Sequence, residues 1–388
     1  MILTIVTFFA VLGILVLVHE FGHFMTARKF GVKVEEFGLG LPPRMFGFFK
    51  NDQNRWQAVG LKAKSAVVPK TLWSLNWIPL GGFVKIKGEE GGDTTDVTSF
   101  VSKPVWQRIV IISAGVSMNV VLAVVLFSIG LAIGSPQVVE TAKISPLARV
   151  TDIQVRVAEV LPGSPAEAAG LKVADSVVRV DTKPIDSIDQ LQALVAAQVG
   201  TTVTLVVNRT GQEITTAVTP RVLAETGKPG IGVALVQTGF VSYPWYAAPW
   251  FAVIEVGKMI GAIVVGFFII IKTLLISGKL VGQVYGPVGI AGLVGDAARL
   301  GFLYLMQFTA MLSIIIAVVN FLPFPALDGG RVVFLILEWL RGKPVNQKLE
   351  TTMHNVGFAL LMILVLIVTY HDIARLGTGF LQWSAKLF

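Results

Sequence analysis

Two histidines and a glutamate interrupt an uncharged apolar run near the start of the chain. Residues 2–18 carry no charge, and His19, Glu20 and His23 follow within five positions. Residues four apart share one face of a helix, so both imidazoles can reach one metal ion while Glu20 stands beside it. Such a group can activate a metal-bound water for hydrolysis. Ionisable groups at membrane depth are costly unless they are paired or bind a metal. A functional site is therefore the favoured interpretation, and an accidental motif match is the alternative.

A third metal ligand is required, because a catalytic zinc site takes three protein ligands and leaves one position open. The chain has no cysteine, so the third ligand is a carboxylate or another histidine. Asp328 is the best candidate: it follows an apolar segment, and the preceding Pro323 and Pro325 end a helix. The glycines that follow it permit close approach of the backbone. The alternative for Asp328 is a helix-capping aspartate.

The composition is that of an integral membrane protein with some soluble mass. Of the 388 residues, 54% are hydrophobic and 14% are charged, against about 25% charged residues in soluble domains. The net charge of +8 suits loops that lie against anionic lipid. Nothing interleaves the basic residues with aromatic ones as a nucleic-acid groove requires, so nucleic acid is not an expected partner. The first residues lack a basic leader and a cleavage site, so we expect this segment to remain as a helix.

Four apolar segments are long enough, or nearly so, to cross about 30 Å of hydrocarbon. They are Ile2–Phe24, Ile109–Ile133, Leu303–Leu322 and Val356–Tyr370, the last one short. Thirteen Lys and Arg residues lie from Arg28 to Arg108. Positive loops stay in the cytoplasm, so the N-terminus is expected outside and His19 and His23 toward the cytoplasmic end of their helix. Within this loop Trp77–Lys87 alternates apolar and basic residues, which predicts a strand or an ordinary surface hairpin.

A soluble domain is expected outside the membrane from residue 138 to residue 236. Its predicted strands are Val155–Leu161, Ser176–Val180, Thr202–Asn208 and Glu213–Thr219, with a helix at Ile188–Gln198. A fifth apolar segment, Phe251–Ile276, carries Glu255, Lys258 and Lys272. If Asp328 is to meet His23 at one depth, this segment must not cross. It is predicted to lie in the interface or to re-enter, giving four crossings with both termini outside.

Together, four motifs resemble the site-2 protease family, and most closely its bacterial regulator-of-sigma-E type. They are His19–His23, Ile78–Lys85, Gly286–Ile290 and Asn320–Gly329. The resemblance implies an M50-like intramembrane metalloprotease with one zinc ion per chain, held by His19, His23 and Asp328, with Glu20 as the catalytic acid and base. It also implies a membrane-associated β-hairpin that pairs with an unwound substrate, Asn320 and the neighbouring Pro323 and Pro325 along the substrate path, and a PDZ domain as the soluble insert.

The candidate substrate edge is Gly82, Phe83, Val84 and Lys85, because strand addition satisfies the backbone groups that an unwound helix gives up. Two departures from the family pattern are visible: Val116 replaces a proline in Gly115–Asn119, and Ala174 replaces a glycine before Asp175. Only one PDZ domain fits between residues 138 and 236. His354 and His371 flank the last span and are interpreted as interfacial.

The predicted fold is therefore an α-helical membrane protein with four transmembrane helices, a membrane-associated β-hairpin region and an inserted α+β PDZ domain. Its predicted parts are 1–30, the first transmembrane helix; 31–107, the cytoplasmic β region; 108–135, the second transmembrane helix; 138–236, the extracytoplasmic PDZ domain; 250–300, the interfacial or re-entrant segment; 302–330, the third transmembrane helix; and 331–388, a cytoplasmic loop, the fourth transmembrane helix and a tail.

The predicted activity is cleavage of transmembrane segments of single-span proteins, such as anti-sigma-factor stubs or signal-peptide remnants already shortened by another protease, at a bacterial inner membrane. The ligand of the PDZ domain is unknown. Two alternatives are a metal transporter, since His and Asp in spans also form ion paths, and a membrane scaffold that only presents its PDZ domain. A transporter needs no glutamate at that spacing, and inverted repeats are not visible.

Overall fold

The computed structural model describes residues 2–60, 70–89, 91, 93–139, 145–209, 211–223, 227–278 and 285–384. The side chains of Pro79, Leu80 and residues 376–384 are outside that description. So are Lys62 and Lys64 of the basic loop and the last four residues of the predicted tail. The chain divides into two compact units, residues 1–127 with 252–388, and residues 128–251.

Most of the helices lie in the first unit, and two short ones lie in the second. Over the described residues the helices are α1 (Ile2–Lys29), α2 (Val105–Ile133), α3 (Pro165–Ala168), α4 (Ile188–Ala197), α5 (Ala248–Ser277), α6 (Pro287–Leu300), α7 (Phe302–Asn320), α8 (Asp328–Arg341) and α9 (Gln347–Ser384). Of these, α1, α2, α5, α7 and α9 are long and apolar enough to cross a membrane. That makes five candidate spans where the sequence predicted four, and the additional one is α5.

A three-stranded sheet follows α1. Its strands are β1 (Val34–Lys50), β2 (Trp56–Val59) and β3 (Leu72–Ile86), in the order β2-β1-β3. Both long strands bend, so that Phe37 of β1 lies beside Trp73 and also beside Val84. The predicted strand Trp77–Lys87 is therefore part of a longer one that begins at Leu72 and pairs with β1. This long-range pairing contradicts the local surface hairpin.

The second unit is built on a seven-stranded sheet. Its strands are β4 (Ser135–Val138), β5 (Arg149–Val160), β6 (Ser176–Val180), β7 (Lys183–Pro184), β8 (Val203–Arg209), β9 (Gln212–Val218) and β12 (Val233–Ser242). The order is β4-β12-β5-β6-β8-β9, with β7 on β6, and β10 (Arg221–Val222) pairs with β11 (Pro229–Gly230). Val155, Leu191 and Leu205 belong to one buried core, which joins the sheet to α4.

The directions of three helices in the first unit follow from their contacts. His23 bonds to Ile111, and His19 lies against Asn119, so α1 and α2 run antiparallel. Thr4 at the start of α1 contacts Gly295 of α6, the helix that immediately precedes α7. The chain beyond the end of α7 returns to His19 through Asp328. Helix α7 therefore runs in the same direction as α1.

Several sequence expectations need correction. The segment 251–276 lies in one unbroken helix. A re-entrant segment would need a turn within it, and the helix has none. The last apolar segment is not short, because α9 extends from Gln347 to Ser384. Part of the predicted loop after residue 331 is helical, as α8. Asp328 is not a cap: Leu327 occupies the N-cap position, and Asp328 is the first residue of α8.

Candidate metal centre

Three side chains from two distant parts of the chain meet below the surface of the first unit. The Nε2 atoms of His19 and His23 are 3.2 Å apart. Asp328 Oδ2 lies 3.1 Å from the first and 3.4 Å from the second. Both histidines are buried and Asp328 is partly buried. The structure therefore brings together the two imidazoles and the aspartate that the sequence singled out.

The orientation of His23 comes from α2. Its Nδ1 donates to the carbonyl oxygen of Ile111 at 2.9 Å, which in the neutral ring leaves the lone pair on Nε2. Two glycines let α1 and α2 approach this closely. A Cβ on Gly22 would overlap the carbonyl of Ala114, and a Cβ on Gly115 would overlap Nε2 of both histidines.

Asn119 performs the corresponding role for His19. Its side-chain amide lies 3.4 Å from His19 Nδ1, and its Oδ1 is buried without a hydrogen-bond partner among the described residues. Exchanging the amide oxygen and nitrogen, which have the same shape, gives Oδ1 a donor in His19 Nδ1–H. Ser313 of α7 donates to the Asn119 carbonyl at 2.8 Å. Asn119 was not among the site residues predicted from the sequence, although a lone asparagine in an uncharged span is a usable signal.

The chain between α7 and α8 delivers Asp328. A Cβ on Gly329 would overlap the carbonyls of Phe321 and Leu322, and one on Gly330 would overlap that of Phe324. Because these two glycines have no side chain, the first turn of α8 can pack directly against the backbone of the preceding loop. Ala326 has a φ of 82°, in the left-handed region that favours glycine.

Glu20 stands beside the three candidate ligands and next to the sheet. It interacts electrostatically with His19, His23 and Asp328, and its carboxylate accepts the backbone N–H of Val84. A Cβ on Gly82 would lie 3.9 Å from Glu20 Cγ, so β3 passes close to α1. The segment Gly82–Lys85 pairs with β1 on one edge only, over the described strands. Its other edge faces Glu20.

The converging atoms suit a cation. His23 Nε2 presents a lone pair, and Asp328 Oδ2 is a buried acceptor with no hydrogen-bond donor among the described residues. Zinc at about 2.0–2.1 Å from tetrahedral ligands separates those ligands by about 3.3 Å. The three separations of 3.1, 3.2 and 3.4 Å bracket that value. Nitrogen and carboxylate oxygen donors without sulfur also match a hydrolytic zinc site.

The other predicted substrate residues are nearby but differ in their contacts. Asn320 ends α7 half-buried, and Pro323 is exposed. Pro325 packs on α9, since a Cβ on Gly357 would overlap the Pro325 carbonyl.

The Gly286–Ile290 motif has a separate structural basis. Asp372 of α9 is buried and accepts the N–H of Gly289 at 2.8 Å, at the start of α6. Its carboxylate occupies the space that a side chain on Gly286 or Gly289 would need.

Comparison of the sequence with models of protein families shows which family the chain belongs to. The model of peptidase family M50 matches residues 7–364. The chain belongs to peptidase family M50. The resemblance to site-2 proteases is thereby confirmed, and zinc is the metal of the family.

Relatives of this M50 peptidase match it over nearly its whole length. A protein of Clostridium perfringens described as a zinc metalloprotease is 33% identical, over 92% of this chain and 95% of its own. The regulator of sigma-W protease RasP of Bacillus subtilis is 28% identical, over 96% of this chain and 99% of its own. Among solved structures, the PDZ domain of an SdrC-like protein from Listeria monocytogenes matches 22% of this chain and 92% of its own, with 24% identity and a TM-score of 0.21.

Proposed function

We propose that this M50 protein is an intramembrane zinc endopeptidase that cuts transmembrane segments of other membrane proteins. The observation that carries the proposal is the convergence of His19, His23 and Asp328 beside Glu20. The two histidines and Glu20 belong to a helix whose apolar length suits a membrane span.

His19, His23 and Asp328 would hold the ion, which is the number of protein ligands that a hydrolytic zinc site takes. When bound, zinc supplies a Lewis acid that lowers the pKa of a coordinated water toward about 7. Glu20 takes the proton of the attacking water and delivers it to the leaving amine. The hydrogen bond from Val84 N–H orients the carboxylate for this work.

The substrate is held as an added strand. A transmembrane helix has its carbonyls occupied, so the segment to be cut must unwind before water can attack. In hydrocarbon, the freed backbone groups then need partners. The edge Gly82–Lys85 lies against Glu20 and has no strand partner on that side over the described strands, so its backbone groups other than the Val84 N–H, which donates to Glu20, can supply them. Asn320 and Pro323 at the end of α7 would line the path, whereas the packing of Pro325 on α9 argues for a structural role.

We infer the membrane topology from the helix directions and from the charge of the loop between α1 and α2. The basic loop between α1 and α2 is assigned to the cytoplasm. The site then lies toward that face of a bacterial inner membrane, with the insert outside. Helix α2 ends and helix α7 begins on the same side of the membrane. A single crossing by α5 would put the start of α7 on the opposite side, so α5 does not cross unless the chain after it returns. Only nine residues separate α5 from α6, about 30 Å when fully extended. A connection of that length could return across the bilayer only in a fully extended form, with its backbone N–H and C=O groups lacking hydrogen-bond partners, which is costly in hydrocarbon.

The insert fits a PDZ domain that filters substrates. A short helix at α3, a longer helix at α4 and a sheet in which β12 pairs with β5 surround its core. Such a domain outside the membrane would restrict access to stubs that another protease has already shortened. RasP is named as a regulator of sigma-W, and by that analogy we infer that anti-sigma-factor stubs are among the substrates; signal-peptide remnants have the same form.

The test compares wild type and Glu20→Gln, purified in detergent, on a panel of single-span proteins truncated just outside the membrane. Mass spectrometry would locate the cut. We expect cleavage within the span by wild type only, with one zinc per chain retained in both proteins. Equal behaviour of the two proteins would support a scaffold, and histidine-dependent metal flux in vesicles without cleavage would support a transporter.

A further inference from the structure

His354 on α9 contacts the loop that carries Asp328, although the sequence suggested an interfacial residue. Its Nδ1 accepts the backbone N–H of Ala326 at 2.9 Å. Its Nε2 is buried and has no hydrogen-bond partner among the described residues. Since Nδ1 accepts, the neutral ring carries its proton on Nε2. The bond to Ala326 is therefore the polar contact that the ring makes within the described part of the chain.

The residue that His354 holds is conformationally unusual. Ala326 adopts a φ of 82°, which a residue with a Cβ rarely takes unless its surroundings impose it. Three residues after His354, on the same face of α9, Gly357 leaves room for the carbonyl of Pro325. One face of α9 thus holds two successive residues of the loop, one by a hydrogen bond and one by close packing.

That loop determines where Asp328 lies. Only Leu327 separates Ala326 from Asp328, and the Leu327 carbonyl already accepts the N–H of Gly330 in the first turn of α8. Gly330 in turn has the carbonyl of Phe324 directly against it. A change of backbone conformation at Ala326 would therefore rotate or shift the start of α8, and the Asp328 carboxylate with it.

We propose that His354 is a positioning residue of the metal centre: by accepting the Ala326 N–H it holds the left-handed turn that directs Asp328 toward His19 and His23. The inference rests on the proposed function, because it gives Asp328 a place in a metal site. His354 touches neither the three converging side chains nor Glu20 through any contact described above. It acts through the backbone alone.

The experiment uses the full-length protein in detergent and measures zinc per chain and the rate of zinc release to a colorimetric chelator. His354→Phe keeps a ring of similar size but removes the acceptor. His354→Asn and His354→Gln keep an oxygen acceptor at two different reaches. The matched control is His371→Phe, the same substitution on the same helix at an exposed residue whose ring lies beside Tyr370 and whose Nδ1 lies 3.3 Å from the carbonyl of Ile367, one turn earlier.

We expect His354→Phe to release zinc about tenfold faster, as loss of supporting partners does at other zinc sites. At least one of the Asn and Gln variants should remain within about threefold of wild type, as should His371→Phe. With zinc in excess, His354→Phe should lower kcat while KM stays unchanged, because the substrate edge at Gly82–Lys85 is intact. In cobalt-loaded protein, the visible absorption of His354→Phe should shift, since one ligand has moved.

A double variant separates positioning from loss of folding. Glycine adopts φ near 80° without strain, so Ala326→Gly should restore part of the zinc retention that His354→Phe loses. Unchanged zinc release from His354→Phe would overturn the inference. So would equal losses in the Phe, Asn and Gln variants, or a loss that Ala326→Gly does not reduce. If wild type itself binds no zinc, the proposed function fails; if it does and His354→Phe binds equally well, only this inference fails.

Discussion

Gly115 of α2 lies directly against the imidazole of His23, so that a Cβ at position 115 would overlap Nε2. The same Cβ would also meet Nε2 of His19. These are the two nitrogen atoms that face Asp328. Helix α2 supplies no side chain to the candidate ligand set, but the missing side chain at Gly115 leaves the space that the two imidazoles occupy.

Gly115→Ala should abolish metal binding. The added methyl group must displace the two Nε2 atoms or push α2 away, and either change separates the ligands. We expect zinc to fall from one per chain to a small fraction, with affinity reduced at least about 100-fold, measured by metal analysis after dialysis. Gly13→Ala is the matched control, because nothing lies within 4 Å of a Cβ on that helical glycine. Full zinc occupancy in Gly115→Ala would contradict the geometry.

Asn119→Leu should weaken zinc binding without unfolding the protein. Leucine has the same branching and the same number of side-chain heavy atoms but cannot accept a hydrogen bond from His19 Nδ1, so the ring loses the partner that keeps its lone pair on Nε2. An affinity loss of about 10- to 100-fold is expected, measured by competition with a chelator. Ser117→Ala on the same helix is the control, because Ser117 is exposed and bonds only to the Ser113 carbonyl. Equal affinities for the two variants would remove Asn119 from the site.

The convergence of the three candidate ligands could be anticipated from the sequence, whereas the contacts that position them could not. His19 and His23 share a helix face by local periodicity, and Asp328 was the acid next to an apolar segment and a pair of prolines. The bond from His23 to Ile111 depends on how far α1 is shifted along α2, and no local pattern encodes that register. The contact between Ala326 and His354 likewise joins the loop before α8 to α9, with α8 between them in the sequence.

The strand β3 shows a similar limit. Alternation of residue types marked Trp77–Lys87, but the strand begins at Leu72 because β1 pairs with residues 72–76 as well as with residues 82–86. That pairing is long-range, and it places Val84 beside Glu20. In the insert, by contrast, three of the four predicted strands and the helix agree with the structure to within about two residues at their ends, whereas β5 begins at Arg149, six residues before the predicted Val155.

Ala174→Gly should stabilise the insert. Ala174 has a φ of 74°, where glycine is favoured, and it is exposed, so no side-chain packing is lost. A gain of about 1 kcal/mol is expected, measured as slower amide exchange in β5 and β6. Ala193→Gly, at an exposed position inside α4, should have the opposite sign, with a loss of about 0.5–1 kcal/mol. A destabilised Ala174→Gly would mean that the turn differs from the one described.

The insert should lose stability in acid through Asp175. Burial alone would raise the pKa of this carboxyl, but the ion pair with Arg209, at 2.7 Å, and the N–H of Lys172 outweigh burial and hold the pKa below its ordinary value. A carboxyl with a lower pKa in the folded state binds fewer protons there than when unfolded. Its contribution is therefore complete above the unfolded pKa of about 4 and is lost as the pH falls through the folded pKa.

Asp175→Asn should remove this acid-dependent part. We expect amide exchange in β6 and β8 at neutral pH to become at least about tenfold faster, since Arg209 loses a bidentate partner. The difference from wild type should then shrink below about pH 4. Glu213→Gln is the control, because its pair with Arg179 is exposed on both sides and such pairs contribute little. A pH-independent difference between wild type and Asp175→Asn would show that the carboxyl's charge is not what matters.

Helix α5 should have both ends on the extracytoplasmic side. Only 13 residues separate Lys258 from Lys272, about 20 Å of helix against about 30 Å of hydrocarbon. The exposed Trp245, Tyr246 and Trp250 suit a membrane interface.

The chain has no cysteine, so single-cysteine variants at Trp250 and Ser277 can be labelled in intact cells or spheroplasts with a membrane-impermeant maleimide, with no background from other thiols. Both positions should react from outside, whereas Arg55→Cys in the basic loop should react only after permeabilisation. Labelling of Trp250→Cys from outside and of Ser277→Cys only after permeabilisation would mean that α5 crosses. The chain would then have to return before α7, since α7 must begin on the side where α2 ends for Asp328 to reach His19.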